Sequence, residues 1–114
     1  MISLINKKVI IEENVYLDKF FEHNRKHEEY IKNKIYNSTL DLINNNPHKI
    51  KKVRGYKYMG KTIYEYKIPL EPSLDCRVAY VFKQDEISIF FISNVVIKKE
   101  FTKLVSKLKN VSKA

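Results

Sequence analysis

The sequence is poor in cysteine, glycine and tryptophan. Cys76 is the single cysteine among 114 residues, so the chain cannot form an intramolecular disulfide. A lone cysteine within an apolar strand pattern is typical of a packed thiol and of a reducing compartment. With two glycines and no Gly/Ser-rich stretch, the sequence has no flexible linker. We therefore expect a single domain that covers residues 1–114.

Long hydrophobic runs are also missing. No apolar stretch approaches the ~20 residues that a membrane helix needs. The first residues meet charge at Lys7 and contain no apolar run of signal-peptide length. We therefore predict a soluble, cytoplasmic protein that does not insert into a membrane.

Histidine is scarce, which limits the metal chemistry that the sequence offers. His23 and His27 stand four residues apart and could share a zinc ion in principle, but no set of cysteines or carboxylates surrounds them. His48 lies in a separate segment. We predict no metal site and no small-molecule cofactor.

Positive charge, by contrast, is abundant and unevenly distributed. Residues 1–46 carry seven Lys or Arg against seven Asp or Glu, whereas residues 47–114 carry fifteen against six. The whole net charge of +9 therefore lies in the second part, mainly in residues 49–67 and 98–113. Such a surface suits a polyanion, because each phosphate that it neutralises releases counterions. A lysine-rich surface without a ligand is the alternative interpretation.

Hydrophobic periodicity predicts an α+β domain with the element order β-α-α-β-β-β-α. The β-branched run of residues 8–12 predicts the first strand, and Asn14 is placed to cap a helix that reaches Asn24. Residues 25–44 have the apolar spacing of a second helix, which Pro47 ends. We expect the two helices to form a hairpin against a small antiparallel sheet.

The strands predicted in the second part alternate between two faces. Residues 62–68 and 74–84 place these side chains toward the predicted core: Tyr64, Tyr66, Ile68, Cys76, Val78, Tyr80 and Phe82. Lys67 and Arg77 lie on the opposite, outward face, where a hairpin would bring both cations to one phosphate. Residues 87–97 are apolar on both faces, as in a central strand, and residues 98–110 predict an amphipathic helix.

The segment before these strands is interpreted as a basic linker. It contains Tyr56 and Tyr58, which alternate with Lys57 and with further lysines. Aromatic rings between cations can stack on nucleic-acid bases. Packing within a hairpin is the favoured interpretation of the two tyrosines.

This order of segments resembles the RelE/ParE superfamily of bacterial toxins from type II toxin-antitoxin pairs. The similarity covers about residues 8–109 and depends on an ordered set of short motifs. The motifs are Lys52-Val53-Arg54-Gly55, Tyr64-Glu65-Tyr66-Lys67-Ile68-Pro69, Arg77-Val78-Ala79-Tyr80-Val81-Phe82, the apolar run of residues 87–93, and Lys98-Lys99.

The resemblance implies a toxin that a cognate antitoxin protein keeps inactive. RelE-like members enter the ribosome and cut mRNA by attack of a ribose 2′-hydroxyl on the adjacent phosphate, without a metal. Arg77 matches their phosphate-stabilising arginine, and Lys67 matches a strand lysine that helps to activate the 2′-hydroxyl. Glu65 corresponds to the base of members that use a glutamate, so the identity of the base stays open.

The remaining cations are assigned by the same resemblance. Lys98 or Lys99 would complete the catalytic set, as the lysine pair of HigB-like relatives does. We expect the RNA-binding surface to comprise Lys52, Arg54, Lys57, Lys61, Lys103 and Lys107. The chain departs from the RelE-like pattern after its last strand, because no glycine, tyrosine or histidine occurs between Val95 and Lys103. The final acid/base residue of that pattern is therefore missing.

Two other functions stay open at this point. A ParE-like protein poisons DNA gyrase without cutting RNA and generally lacks the strand lysine and arginine, whereas a catalytically silent relative would only bind RNA. The non-catalytic interpretation of Arg77 is a surface ion pair with Glu65 or Asp75. For either toxin we expect an antitoxin that covers the basic surface or displaces the C-terminal helix.

Overall fold

A computed structural model describes residues 7–72 and 74–114, which form one sheet with helices on both faces. The elements are β1 (Lys8–Ile11), α1 (Val15–His23), α2 (Glu28–Asn45), β2 (Lys51–Tyr58), β3 (Lys61–Glu71), β4 (Leu74–Lys83), β5 (Glu86–Ser93), α3 (Lys98–Ser106) and β6 (Val111–Lys113). Short 3-10 turns precede and follow α2. None of the helices in these ranges is long and apolar enough to cross a membrane. The prediction that no signal sequence begins the chain concerns residues 1–6, outside the described residues.

The predicted fold class is confirmed, with more strands than expected. In the described ranges the sheet has six strands in the order β1-β5-β4-β3-β2-β6. The strands from β2 to β6 pair with their neighbours in antiparallel fashion, whereas β1 runs parallel to β5. The sheet is therefore mixed, because the helical hairpin between β1 and the later strands returns the chain in the direction in which it started.

The helices α1 and α2 cover one face of the sheet, which we call the hairpin face. Asn14 caps α1 as predicted, since its side chain accepts a hydrogen bond of 2.9 Å from the backbone N–H of Leu17. The buried side chains of this face are Leu17, Phe20, Phe21, Ile31, Ile35, Tyr66, Ile68, Cys76, Val78, Tyr80, Ile87, Ile89 and Ile92. The alternation of the strands thus predicted the core side correctly.

The second face, which we call the α3 face, is less exposed to solvent than the sequence indicated. Phe101, Val105 and Leu108 follow the apolar spacing of α3 and bury themselves against the sheet. They need an apolar surface, and Ile63, Ala79, Val81 and Phe91 supply it. The prediction that the Lys67 and Arg77 side of the sheet is exposed therefore holds only at its Lys67 end.

The interpretation of the segment before β3 as a linker is wrong, because residues 51–58 form the strand β2. Its register with β3 shifts between Lys52 and Lys57, and Gly55 has a φ of 86°. This bulge puts Val53 and Tyr58 on the same face although they are five positions apart, which in a regular strand would place them on opposite faces. The strand therefore lacks the regular alternation by which a sequence reveals it.

Three other predicted boundaries also shift. The helix α2 begins at Glu28 instead of Arg25, β5 ends at Ser93 instead of Ile97, and α3 ends at Ser106 instead of Asn110. Asn110 has a φ of 70°, which turns the chain so that β6 can pair with β2. Residues 107–110, which were predicted as helix, thus form the turn that leads into β6.

Candidate nucleic-acid interface

Lys67 and Arg77 lie directly opposite each other on β3 and β4. Ser93 of β5 continues this row on the far side of Arg77. Residues that pair across neighbouring strands project from the same face, here the α3 face. The register therefore agrees with the expectation that a hairpin brings the two cations together.

Arg77 is held in place by two partners. Its Nη1 donates to Oε1 of Glu65, which lies diagonally across on β3. Its Nε and Nη2 donate to the backbone carbonyl of Val96 at 3.0 and 2.6 Å, in the loop that leads to α3. Arginine carries five N–H donors, three of which are used here, so two have no acceptor among the described residues. The arginine is thus oriented and keeps donors for a further ligand.

Glu65 lies below Arg77 and is closed off from solvent. Its side chain is 0 % exposed, against 15 % for Arg77, and its Oε2 has no hydrogen-bond partner among the described residues. An ionised carboxylate in such a position requires a compensating charge, because desolvation disfavours it strongly. The pair is therefore a buried ion pair and differs from the surface pair that the sequence suggested as an alternative.

Lys67, in contrast, is accessible. Its side chain is 51 % exposed, and its Nζ lies 3.8 Å from Oδ2 of Asp75. An exposed contact of this length contributes about 0–1 kcal/mol to stability. The ammonium group can therefore exchange Asp75 for a phosphate at little energetic cost.

Lys51, which was not among the predicted site residues, joins this group from β2. It pairs with Glu65 in the register, so it also projects from the α3 face. As a diagonal neighbour its Cβ lies about 7–8 Å from that of Lys67. Because the linker interpretation covered this segment, its side chains were not assigned to the two faces of a sheet. The signal for Lys51 in the sequence was its two-residue spacing from the apolar Val53, which is buried.

We call Lys51, Glu65, Lys67, Asp75 and Arg77 the charged end of the α3 face. Three cations and two carboxylates give it a net charge of +1. Arg77 pairs with Glu65 and Lys67 with Asp75, whereas Lys51 has no carboxylate oxygen within 4.0 Å among the described residues. Lys51 therefore supplies the surplus positive charge that an anion requires.

Lys98 and Lys99 begin α3 two residues after Val96, the anchor of Arg77. Both are exposed, and no side chain caps the helix. Cations at a helix N-terminus oppose the helix dipole, whereas an anion there is stabilised by the free N–H groups. The chain thus places these two lysines beside the charged end, where a bound phosphate would relieve the repulsion.

The predicted RNA-binding residues do not form one surface. Lys52 and Lys57 pair with Tyr64 and Thr62, so they project toward the hairpin face. Lys61 pairs with Tyr58 and shares the α3 face with Lys67. The bulge thus puts Lys52 and Lys57 on the same side of the sheet, opposite to Lys61. Of the other predicted RNA-binding residues, Arg54 is exposed on β2, Lys107 is exposed just past α3, and Lys103 lies 3.8 Å from Glu100 within α3.

Tyr58 has a packing role, as the favoured interpretation stated. Its ring stacks on Phe90 with centroids 3.9 Å apart, and its hydroxyl donates to Oε1 of Glu12 at 2.8 Å. Burial, and then the hydrogen bond to Glu12, raises the pKa of Tyr58 above its usual value. The ring is therefore occupied, and Tyr56 is half-buried against the same cluster.

His23 and His27 contact groups outside the charged end. His27 Nε2 approaches Oε1 of Glu71 at 3.1 Å, and His23 Nδ1 contacts the carbonyl of Lys19 within its own helix. Across residues 7–72 and 74–114, no three His, Cys, Asp or Glu side chains cluster closely enough to hold a metal ion.

No protein-family model matches the chain, and comparisons with the curated proteins and with the solved structures found no match either. The similarity to RelE/ParE toxins therefore stays a prediction from the short motifs and from the order of the elements.

Proposed function

We propose that the chain is the toxin of a type II toxin-antitoxin pair and acts on the ribosome as an mRNA endonuclease. The observation that supports this most is the cross-strand pair of Lys67 and Arg77, with Lys51 beside it. An exposed lysine faces an oriented arginine that keeps two N–H donors, which is the arrangement that a phosphodiester needs. The predicted order β-α-α-β-β-β-α, to which the fold adds the strands β2 and β6, also supports the proposal.

In this proposal the nucleophile comes from the RNA. The ribose 2′-oxygen attacks the adjacent phosphorus, its proton passes to a base, and the bond from phosphorus to the 5′-oxygen breaks. A proton must reach this leaving oxygen, and the products are a 2′,3′-cyclic phosphate and a 5′-hydroxyl. The two free N–H groups of Arg77 stabilise the negative charge on the oxygens of the pentacoordinate phosphorus, and Lys51 holds a flanking oxygen, whereas Lys67 serves the proton transfer.

Glu65 acts best as a positioning residue in this arrangement. Its carboxylate is enclosed and has one oxygen on Arg77, so a ribose hydroxyl does not reach it in this conformation. It fixes the guanidinium and leaves Lys67 as the accessible member of the candidate base set. Lys98 and Lys99 are exposed at the start of α3, next to the anchor of Arg77, and are the candidates to protonate the leaving oxygen.

Expression of the chain in bacteria tests this function. We expect growth arrest, with mRNA cut within codons in primer-extension analysis. Lys67→Ala should lower cleavage by at least about 100-fold, the usual contribution of a proton-transferring group. Lys19→Ala removes the same charge from the exposed side of α1 and serves as the control, with unchanged cleavage. Arg77→Ala should also abolish cleavage, with circular dichroism to check that it folds.

The same expression experiment distinguishes the other functions. Growth arrest with intact mRNA and an induced DNA-damage response would refute the nuclease and favour a ParE-like gyrase poison. RNA binding without growth arrest or cleavage would indicate a catalytically silent relative. The enclosure of Glu65 and the lack of tyrosine or histidine between Val95 and Lys103 favour this silent relative as the second candidate.

The proposal includes a cognate antitoxin as partner. Residues 47–114 carry fifteen cations and six carboxylates, so an acidic segment would complement their surface. We expect the product of an adjacent gene to co-purify with the chain and to abolish its toxicity. A chain that expresses alone at high level without harming the cells would contradict this expectation.

A further inference from the structure

The strand β3 has an open edge beyond the charged end. Its last register pair with β2 joins Glu65 to Lys51, whereas β3 itself continues to Glu71. In the described ranges, residues 66–71 therefore have β4 on one side and no strand on the other. The sheet therefore has an unpaired edge here, where side chains of the hairpin face and of the α3 face lie next to each other.

A groove follows this open edge between β3 and α2. It has a volume of about 280 Å³, just below the range of about 300–1,000 Å³ typical of small-molecule sites. Its lining residues are Lys34, Ser38, Asp41, Leu42, Lys49, Tyr66, Lys67, Ile68 and Pro69. The size suits one small group, such as a single nucleotide, and excludes a folded partner.

The lining combines an apolar floor with a basic rim. Leu42, Ile68 and Pro69 supply the floor, while three lysines come from three separate elements: α2, the turn before β2, and β3. An apolar floor accepts a base or sugar, and lysines beside it accept the phosphate.

The charge of the groove favours an anion. Lys34 and Lys49 against Asp41 give +1, while Lys67 pairs with Asp75, and Asp41 accepts a hydrogen bond of 2.6 Å from Asn45 of its own helix. Neither Lys34 nor Lys49 has a carboxylate oxygen within 4.0 Å among the described residues. The positive charge is therefore not compensated inside the protein.

We propose that this groove binds a nucleotide of single-stranded RNA next to the phosphate held at the charged end. The inference rests on the proposed function, because it extends the path of the same RNA strand. Lys67 connects the two places: it opposes Arg77 on the α3 face and also lines the groove. The RNA strand crosses the open edge of β3 at Lys67, with one phosphate near Arg77 and the next phosphate near Lys34 and Lys49.

Salt-dependent RNA binding by the full chain tests the groove. The probe is a fluorescein-labelled single-stranded RNA of twelve nucleotides, followed by anisotropy from 0.05 to 0.5 M salt. Each phosphate contact with single-stranded nucleic acid contributes about 0.7 to the slope of log K against log salt. We expect the double variant Lys34→Ala, Lys49→Ala to lose about 0.7 of the slope, which corresponds to about fivefold weaker binding at 0.1 M relative to 1 M salt.

A matched double variant makes the result specific. Lys8→Ala, Lys19→Ala removes two exposed lysines from β1 and α1, away from the groove, and should change the slope far less. Equal effects in the two double variants would overturn the groove. All four positions are exposed, so the variants should fold, and circular dichroism checks this.

Cleavage measured beside binding separates this inference from the proposed function. A wild-type chain that cuts mRNA while the Lys34, Lys49 variant binds RNA normally overturns the groove alone. A chain that cuts nothing, but whose RNA binding weakens in that variant only, overturns the nuclease and supports the groove. A wild-type chain that binds no RNA overturns the groove, and the cleavage assay then decides the nuclease by itself.

Discussion

The two faces of the sheet differ in the kind of polar contact that they bury. On the hairpin face the deepest polar contact is neutral: Tyr66 meets Thr39 with 2.6 Å between their oxygens, and Thr39 donates to the carbonyl of Ile35. On the α3 face it is ionic, because Glu65 is fully buried beneath Arg77. One face encloses a hydrogen bond between hydroxyl groups, and the other encloses a charge.

This difference follows from what covers each face. The two helices of the hairpin face together comprise 27 residues, 9 in α1 and 18 in α2, whereas α3 has 9. The single short helix covers the centre of its face and leaves the end at Lys67 accessible. A buried charge beside an open margin is typical of a ligand site, since protein interiors otherwise avoid charges that they do not need.

The largest expected effect on stability comes from removing Arg77. Arg77→Leu leaves Glu65 buried without its partner and should lower the free energy of unfolding by about 3–5 kcal/mol. The double variant Arg77→Leu, Glu65→Leu removes both charges and should recover most of this loss. Urea denaturation measures both variants. A loss below about 1 kcal/mol in the single variant would show that Glu65 does not need its partner.

The hairpin face should respond less to the corresponding change. Tyr66→Phe removes the hydroxyl that donates to Thr39 and should lower the free energy of unfolding by about 1–2 kcal/mol. The double variant Tyr66→Phe, Thr39→Val removes both partners and should be little less stable than the single one. A loss in Tyr66→Phe as large as that in Arg77→Leu would contradict the contrast between the faces.

Alkaline pH should lower the free energy of unfolding through Cys76, which is buried on the hairpin face. Burial, with the nearby Asp75 charge, raises the pKa of this thiol from 9.0 to about 12. The folded chain keeps the proton above pH 9, whereas the unfolded chain loses it, so stability falls as the pH rises from 9 toward 12. The slope reaches about 1.4 kcal/mol per pH unit for this group.

Urea midpoints at pH 8 and pH 10 measure this effect. Burial also raises the pKa of Tyr66 and Tyr80, which adds to the decline above pH 10. Cys76→Ala should therefore decline less steeply than the wild type without becoming insensitive to pH. Identical declines would exclude the thiol as a contributor.

The smallest expected effect concerns the turn between β2 and β3. Met59 and Gly60 both have positive φ, 50° and 78°, which suits a two-residue turn with asparagine and glycine. Met59→Asn should raise the free energy of unfolding by about 0.5–1 kcal/mol, because asparagine tolerates this backbone better than methionine. Met59→Leu is the control without gain. Thermal melting followed by circular dichroism measures both.

The parts of the fold that the sequence predicted are those with local, regular signals. Asn14 before a helical pattern marked the start of α1, and the alternation around Tyr66 and Tyr80 assigned the core side of β3 and β4. The Gly55 bulge interrupts the same kind of signal in β2, which therefore passed as a linker.

The site was only partly predictable for a related reason. The alternation placed Lys67 and Arg77 on one face, and the register agrees. It also placed Glu65 on that face and could not show that Glu65 is buried while Lys67 is exposed. That difference depends on where α3 lies, which is a tertiary contact between segments distant in sequence. Lys51 was missed because its strand was missed.

The carbonyl of Val96 links the position of α3 to the orientation of Arg77, because it accepts two hydrogen bonds from Arg77 and lies in the loop that leads into α3. This coupling is reciprocal: a ligand that draws Arg77 away from Val96 loosens the loop before α3 by the same free energy. Val95 and Ile97, both exposed, flank this acceptor. A change of side chain in this loop would therefore alter the orientation of Arg77 without a direct contact to the proposed RNA.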